Sequence, residues 1–242
     1  MLSMTQTPLP ASAGAAARLE DYIRRGGFKA GDRLPSERQF AELLGFSRTA
    51  VREAVKQLNQ KGLVRSSVGR GLFVAERSSD AVAASLDTLL HLGDGTVGDV
   101  MEMRHIMGTA AARLAATRAT AADREELRAL LEEMERDWRR PGVLRRVGGA
   151  FHLVLARAAG NPLLAALMEP VLALMDRVRA DVPIPGGPTE QGARDHRRIY
   201  DAIAARDGVA AATAMEEHLS YYESLFDRAA PGWRDLQVPA HP

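Results

Sequence analysis

Apolar positions recur with two different periods along the chain, and the change of period divides it. Residues 15–26 place Leu19, Tyr22 and Ile23 on one side of a short amphipathic helix, closed by Gly26, Gly27 and turn residues 29–32. Pro35 and Ser36 open a second helix. Ser36 as N-cap with Gln39 three residues on is a capping-box pattern, and Phe40, Leu43 and Leu44 are expected to form the buried stripe. Gly45 ends that helix, Phe46 bridges, and Ser47 caps a third helix running to about Lys61. Two helices joined by a three-residue turn containing glycine make a helix-turn-helix. After Gly62 the period becomes extended: residues 63–66 and 72–74 flank a glycine-rich, basic tip at 67–71, the pattern of a β-hairpin wing.

From about Ser79 onward the pattern is helical throughout. Stripes run over Val100, Met103, Met107, Ala110 and Leu114; over Leu127, Leu130, Met134 and Trp138; and over Leu144, Val147, Phe151, Val154 and Ala158. Further stripes follow at Leu164, Leu167, Val171 and Met175, at Ile199 and Ile203, and at Met215, Leu219, Tyr222 and Phe226. Thr120 with Asp123 is a capping box, and Asn161 is an N-cap before Pro162 at the first helical position. Pro141 with Gly142 and residues 183–188 mark breaks, and Pro170 is expected to kink its helix. The fold class expected is mainly α: a winged helix-turn-helix at 13–77 and an all-α bundle of six or seven helices at 78–230. Residues 1–12 and 231–242 read as tails.

Charge sharpens this division. Residues 13–77 hold 13 Lys or Arg against 7 Asp or Glu, whereas residues 78–242 hold 19 against 24, a contrast hidden in the formal net charge of +1. A basic front and an acidic back suit a polyanion-binding module joined to one that does not bind polyanions. There are no cysteines, which excludes disulfides and thiolate metal sites and fits a reducing cytoplasm. No stretch approaches the ~18 apolar residues of a membrane span, and residues 1–12 lack the basic start of a signal peptide.

Within the third helix Arg48, Arg52 and Lys56 rise along one face at i, i+4, i+8, while Val51, Ala54, Val55 and Leu58 fall on another arc. A helix inserted into the major groove needs this division, because arginine donates two parallel hydrogen bonds to guanine. Ser47 and Thr49 place hydroxyls at the helix start, where free N–H groups favour phosphate. Arg38 adds a guanidinium near the start of the second helix, and Gly69 and Arg70 lie at the wing tip, suited to the minor groove or backbone. One order of residues joins these features: Leu34, Pro35, Ser36, Glu37, Arg38; then Ser47 to Ala54; then Leu58, Gly62, Leu63, Val64, Gly69, Arg70, Gly71, Phe73, Val74. It resembles the winged-helix domain of the GntR family over nearly all of residues 18–75. The resemblance implies that Arg38, Arg48 and Arg52 read bases or anchor phosphates, that Ser47 and Thr49 hold the backbone, and that Gly69 enters the minor groove. It also implies dimers on palindromic operators.

In the helical half, His152 follows Phe151 on the helix that starts near Val143, and His196 and His218 face inward by helical phase, so three imidazoles from three helices can converge on one metal ion. The alternative for each is a core histidine donating to a carbonyl, and His91, His105 and His241 carry no further reading. Arg104 with residues 110–115, Phe151 and His152, residues 159–162, His196 with Arg197, Ile199, Ala202, Ile203 and Asp207, and residues 215–219 are similar to the FadR-type ligand-sensing domain, the FCD fold, over about residues 80–228. That resemblance implies a divalent metal, often zinc, on an aspartate and three histidines, with Arg104 holding the carboxylate of an organic-acid effector. The effector site so expected comprises Arg104, His152, Asn161, His196 and His218. The sequence departs from the pattern where the family's aspartate would stand, which is Gly148, and position 108, often acidic in relatives, is also glycine. Three neutral histidines can still hold zinc, with water or an effector carboxylate completing the shell. A metal-free pocket in which the histidines bond a small organic or sugar acid directly stays equally open. The functional expectation is a dimeric, ligand-responsive repressor or activator. Two alternatives are a hydrolytic enzyme using the three-histidine pocket and an architectural DNA binder without a ligand.

Overall fold

Small side chains start the first element: α1 (Ala11–Arg25) buries Ala15, Ala16 and Leu19 on one side. This computed structural model describes residues 11–67, 70–75, 79–92, 95–140, 142–181 and 189–238. The capping box expected at Ser36 is formed, its side chain accepting from the Gln39 amide while Gln39 accepts from the Ser36 N–H at 2.9 Å, and α2 (Glu37–Leu44) follows. Gly45 ends α2 at φ +73°, a left-handed conformation that favours glycine. Ser47 then accepts from the Ala50 N–H at 3.2 Å and starts α3 (Arg48–Gln60), which packs against α1 and α2. Phe40, Val51, Ala54 and Leu58 are fully buried in the resulting core.

Leu43 departs from expectation and is 60% exposed. Phe40, Ala41 and Leu44 share one arc of α2, and at 100° per residue Leu43 lies roughly a quarter-turn or more from its centre. The hairpin forms as β1 (Val64–Ser67) and β2 (Gly71–Val74), antiparallel, with Val64 opposite Val74 and Ser67 opposite Gly71. Leu34 and Val74 donate to Leu72 and Asp32, so the segment before α2 pairs with the second strand.

The chain divides into two units, Met1–Ala81 and Val82–Pro242, with the division inside α4 (Ser79–Leu92). The second unit continues with α5 (Val97–Arg118), α6 (Ala121–Asp137), α7 (Val143–Ala158), α8 (Pro162–Asp181), α9 (Glu190–Ala204) and α10 (Gly208–Ala229). Helix α8 runs through Pro170. The break expected at 183–188 lies outside the described residues.

Helix α5 is central, packing against α7, α8, α9 and α10. Its inward arc holds Val97, Met101, Arg104, Gly108, Ala111 and Ala115, so the expected stripe is rotated: Met103 and Ala110 are exposed and Arg104 is buried. Size selects this face. Gly108 lets α10 approach so closely that a Cβ there would lie 3.2 Å from Leu219, and alanines continue the shallow surface.

Residues 231–238 are no tail. Trp233, 1% exposed, stacks 5.2 Å from Phe226 in a short 3-10 turn (Trp233–Asp235) and donates to Asp227 at 2.7 Å. The segment then returns to α5, where Leu236 accepts from the Val97 N–H at 2.8 Å. A large apolar ring near the chain end finds a core face, which outweighs the entropy of ordering a few residues.

Candidate functional site

On α3 the residues expected to meet DNA share an outward face. Arg48, Thr49, Arg52 and Lys56 are exposed, while Ala50, Val51, Ala54, Val55 and Leu58 are buried. Among the described residues neither Arg48 nor Arg52 is tied into an ion pair, so both guanidiniums keep their donors. Arg38 is exposed and only loosely paired with Glu42, at 3.9 Å, a contact worth little in water. Ser47 uses its oxygen as the helix cap, which leaves its hydroxyl hydrogen to donate. Arg70 is exposed and donates to Ser67 at 3.1 Å; Gly69 lies outside the described residues.

The second constellation lies inside the helical unit. His152 on α7, His196 on α9 and His218 on α10 are 4%, 2% and 0% exposed, and one ring nitrogen from each lies within 4.8 Å of the others. Ring centroids are 4.4 Å apart for His196 and His218, and 5.2 and 5.3 Å from His152 to each. Burial holds all three imidazoles well below their ordinary pKa, and for His152 and His218 the buried Arg104 cation is the next cause. All three are therefore neutral near pH 7, each with a lone pair on one ring nitrogen.

Hydrogen bonds fix the tautomers of His196 and His152. His196 Nδ1 donates to the Gly192 carbonyl at 2.6 Å, which leaves its Nε2 unprotonated, buried and without a partner. Arg104 donates through Nη2 to His152 Nε2 at 3.3 Å. His218 has no hydrogen-bond partner on either nitrogen. Such unspent buried acceptors are costly unless something meets them, and three converging imidazoles fit a divalent metal. His105 lies outside the cluster, between Glu216 and Glu223 at 3.3 and 3.1 Å; His241 and the His91 side chain are outside the described residues.

A cavity of about 210 Å³ opens on this cluster, bounded by Arg104, Gly148, Gly149, Leu172, Arg179 and Tyr222 besides the histidines. Burial, then the neighbouring Arg179 cation, pulls the Arg104 pKa down to about 9, so it stays charged at neutral pH. Gly148 faces the cluster: a Cβ there would sit 3.5 Å from His196 Nε2, in ordinary contact. The carboxylate that the family pattern would supply is thus missing from the position that could reach the histidines. Gly108 faces Leu219 and Met215 and is not part of the cavity wall. Asn161 also stands apart; it is the exposed N-cap of α8, accepting from Leu163 and Leu164 at 3.1 and 3.3 Å.

Three participants escaped the sequence reading. Asp195 is 2% exposed, accepts from Gln191 at 2.7 Å, and brings Oδ2 to 3.9 Å from His218 Nδ1. With His218 neutral this is no ion pair, but it places a carboxylate behind one imidazole, a common support for a metal-binding histidine. Arg179 and Tyr222 line the cavity, and burial raises the Tyr222 pKa, keeping its hydroxyl protonated. Their helical phase was the only signal available.

Family profiles match both units: the one described as bacterial regulatory proteins, gntR family, over residues 11–74, and the one described as FCD domain over residues 99–221. The chain belongs to the GntR family. Among its GntR-family relatives, the HTH-type transcriptional regulator LutR of Bacillus subtilis is 33% identical over 208 residues, 84% of this chain and 95% of that protein. The transcriptional repressor NanR of Citrobacter rodentium is 32% identical over 209 residues, 84% of this chain and 80% of that one. The Glc operon transcriptional activator of Escherichia coli is 31% identical over 213 residues, 84% of each chain. The solved structure of Streptococcus agalactiae GntR superposes with a TM-score of 0.67 at 25% identity, covering 88% of this chain and 99% of that one. This GntR protein is therefore a transcription regulator with a winged helix-turn-helix and a C-terminal FCD domain. The hydrolytic alternative finds no counterpart among these matches. No helix among the described residues is long and apolar enough to cross a membrane.

Proposed function

We propose that this regulator holds a palindromic operator as a homodimer in the cytoplasm, and that a small organic or sugar acid bound in the FCD cavity changes its operator affinity. The observation that carries the DNA-binding half is the two-sided α3. Its Val51–Leu58 arc is buried, and Arg48, Thr49, Arg52 and Lys56 project from the other side. Arg48 and Arg52 read base edges, with Arg38 and the Ser47 and Thr49 hydroxyls on phosphates and Arg70 and Gly69 of the wing on the backbone or minor groove. A second copy of the chain would cover apolar surface that a monomer leaves in water. Met103 and Ile106 on α5 and Leu163 and Leu167 on α8 are exposed, on helices that pack together.

In the sensing half, Arg104 takes the acid's carboxylate and the neutral His152, His196 and His218 line its other side. These three imidazoles would hold a divalent metal such as zinc, and Asp195 would support His218. Such an ion supplies a Lewis-acidic charge that polarises a bound oxygen ligand. Arg104 and the imidazoles bind and orient the acid, and the wall formed by Leu172 and Tyr222 limits water.

The test is selection of operator fragments from a random DNA pool by the full chain, followed by titration of the Arg48→Ala/Arg52→Ala double variant. Each lost bidentate contact should cost about 1–3 kcal/mol of discrimination, leaving weak salt-dependent binding. Unchanged operator selectivity in the double variant would contradict the assignment.

A further inference from the structure

The cavity has more unspent positive charge than one carboxylate can use. Arg104 Nη1 is buried without a hydrogen-bond partner, and so is Arg179 Nε on the neighbouring α8. Both guanidiniums line the same cavity, and Arg145 stands exposed at its rim. Among the described residues the one acid in the wall, Asp176, is half exposed and meets Arg179 through Nη1 at 3.1 Å, leaving Nε unanswered. Arg179 is also held 5.6 Å above the Tyr222 ring, which keeps its planar head at the cavity wall rather than in solvent. Two guanidiniums on one cavity repel each other unless a ligand or counter-charge relieves them; burial first, and then the Arg179 charge, weakens the basicity of Arg104.

We propose that the effector is a small dicarboxylate, with one carboxylate on Arg104 beside His152 and the second on Arg179. This rests on the acid-sensing reading above and narrows it to a two-headed dianion. The cavity volume of about 210 Å³ lies below the ~300–1,000 Å³ of sites for drug-sized ligands, so the carbon frame between the heads is short. Two guanidiniums from different helices answer two acid groups better than a single compact anion, because each planar fork pairs one carboxylate bidentately.

Calorimetric titration of the full chain with succinate, malate, butyrate, lactate and inorganic phosphate tests this, first after chelator treatment and again with one equivalent of zinc. Succinate should bind roughly ten- to hundred-fold tighter than butyrate, the monocarboxylate of the same length, and malate tighter than lactate, the value of one added charge-assisted contact. Arg179→Gln should bring succinate down to the affinity of butyrate while leaving butyrate within about two-fold, and Arg179→Lys should restore part of the difference. Retained butyrate binding shows that the variant is folded. Equal affinity for mono- and dicarboxylates, equal weakening of both by Arg179→Gln, or phosphate binding as well as succinate would overturn the two-headed effector while leaving an acid sensor standing. Binding of no acid at all would overturn the acid-sensing reading itself, and with it this proposal.

Discussion

Replacing Gly148 by Asp puts a carboxylate where the histidine cluster lacks one. A Cβ at 148 lies 3.5 Å from His196 Nε2 and 3.6 Å from its Cε1, ordinary contacts that need no backbone shift. With unit charges ~4 Å apart and an effective dielectric of ~20, each pair is worth about 4 kcal/mol, or roughly 8 kcal/mol toward a divalent ion. Desolvating the carboxylate takes back several kcal/mol. The remainder is on the order of 1.5–3 kcal/mol, about ten- to hundred-fold in zinc affinity. Competition between the protein and a chromophoric chelator reads this directly. The same substitution should weaken acid binding, since it cancels cavity charge and fills space beside Arg104. Zinc affinity unchanged within about two-fold in a folded Gly148→Asp variant would refute the reasoning, because position 148 would then not reach the ion.

Two further outcomes follow from burial. Because burial depresses the pKa of His152, His196 and His218, folded and unfolded chains hold them alike, neutral, above about pH 6.5. Below that the unfolded chain takes up protons that the folded chain refuses, so stability falls as pH drops, by up to about 1.4 kcal/mol per pH unit for each ring. Urea unfolding of chelator-treated protein between pH 7.5 and 5.5 should show the decline, with about a third of the slope lost in His218→Gln; a flat profile would contradict it. Trp233→Ala removes a ring that is 1% exposed and should cost about 3–5 kcal/mol in urea unfolding, against under ~0.5 kcal/mol for an exposed tail residue.

Much of this was legible from the chain alone, because caps and turns are local chemistry. Ser36 with Gln39, Gly45, Ser47, and Thr120 with Asp123 act over three or four residues, so their hydrogen bonds can be anticipated without knowing the fold. Strong two-sided helices such as α3 likewise declare their buried arcs, and phase placed His196 and His218 inward; His152 lies off the Phe151 stripe of α7, on a second buried arc with Gly148 and Leu155 that the stripe did not announce. Helix α5 did not, since it is surrounded. Its Met103 and Ile106 side looks as apolar as its Met101 and Ala111 side, and only the space allowed by neighbouring helices decides which faces inward. Asp195 and Arg179 were illegible for a related reason: a charged residue beside an apolar stripe reads as solvated until the partner helix is seen to cover it. Trp233 lies in a segment whose composition reads as a tail, although a lone tryptophan there is itself a sign of docking.

If acid binding in the FCD cavity is energetically coupled to the DNA-binding surface, operator titration by fluorescence anisotropy, with and without saturating succinate, will read that coupling. Operator Kd should shift by about 5- to 150-fold, the usual range of allosteric coupling, and the shift should vanish in Arg104→Gln while that variant still binds operator. Succinate bound by calorimetry with an unchanged operator Kd would contradict it.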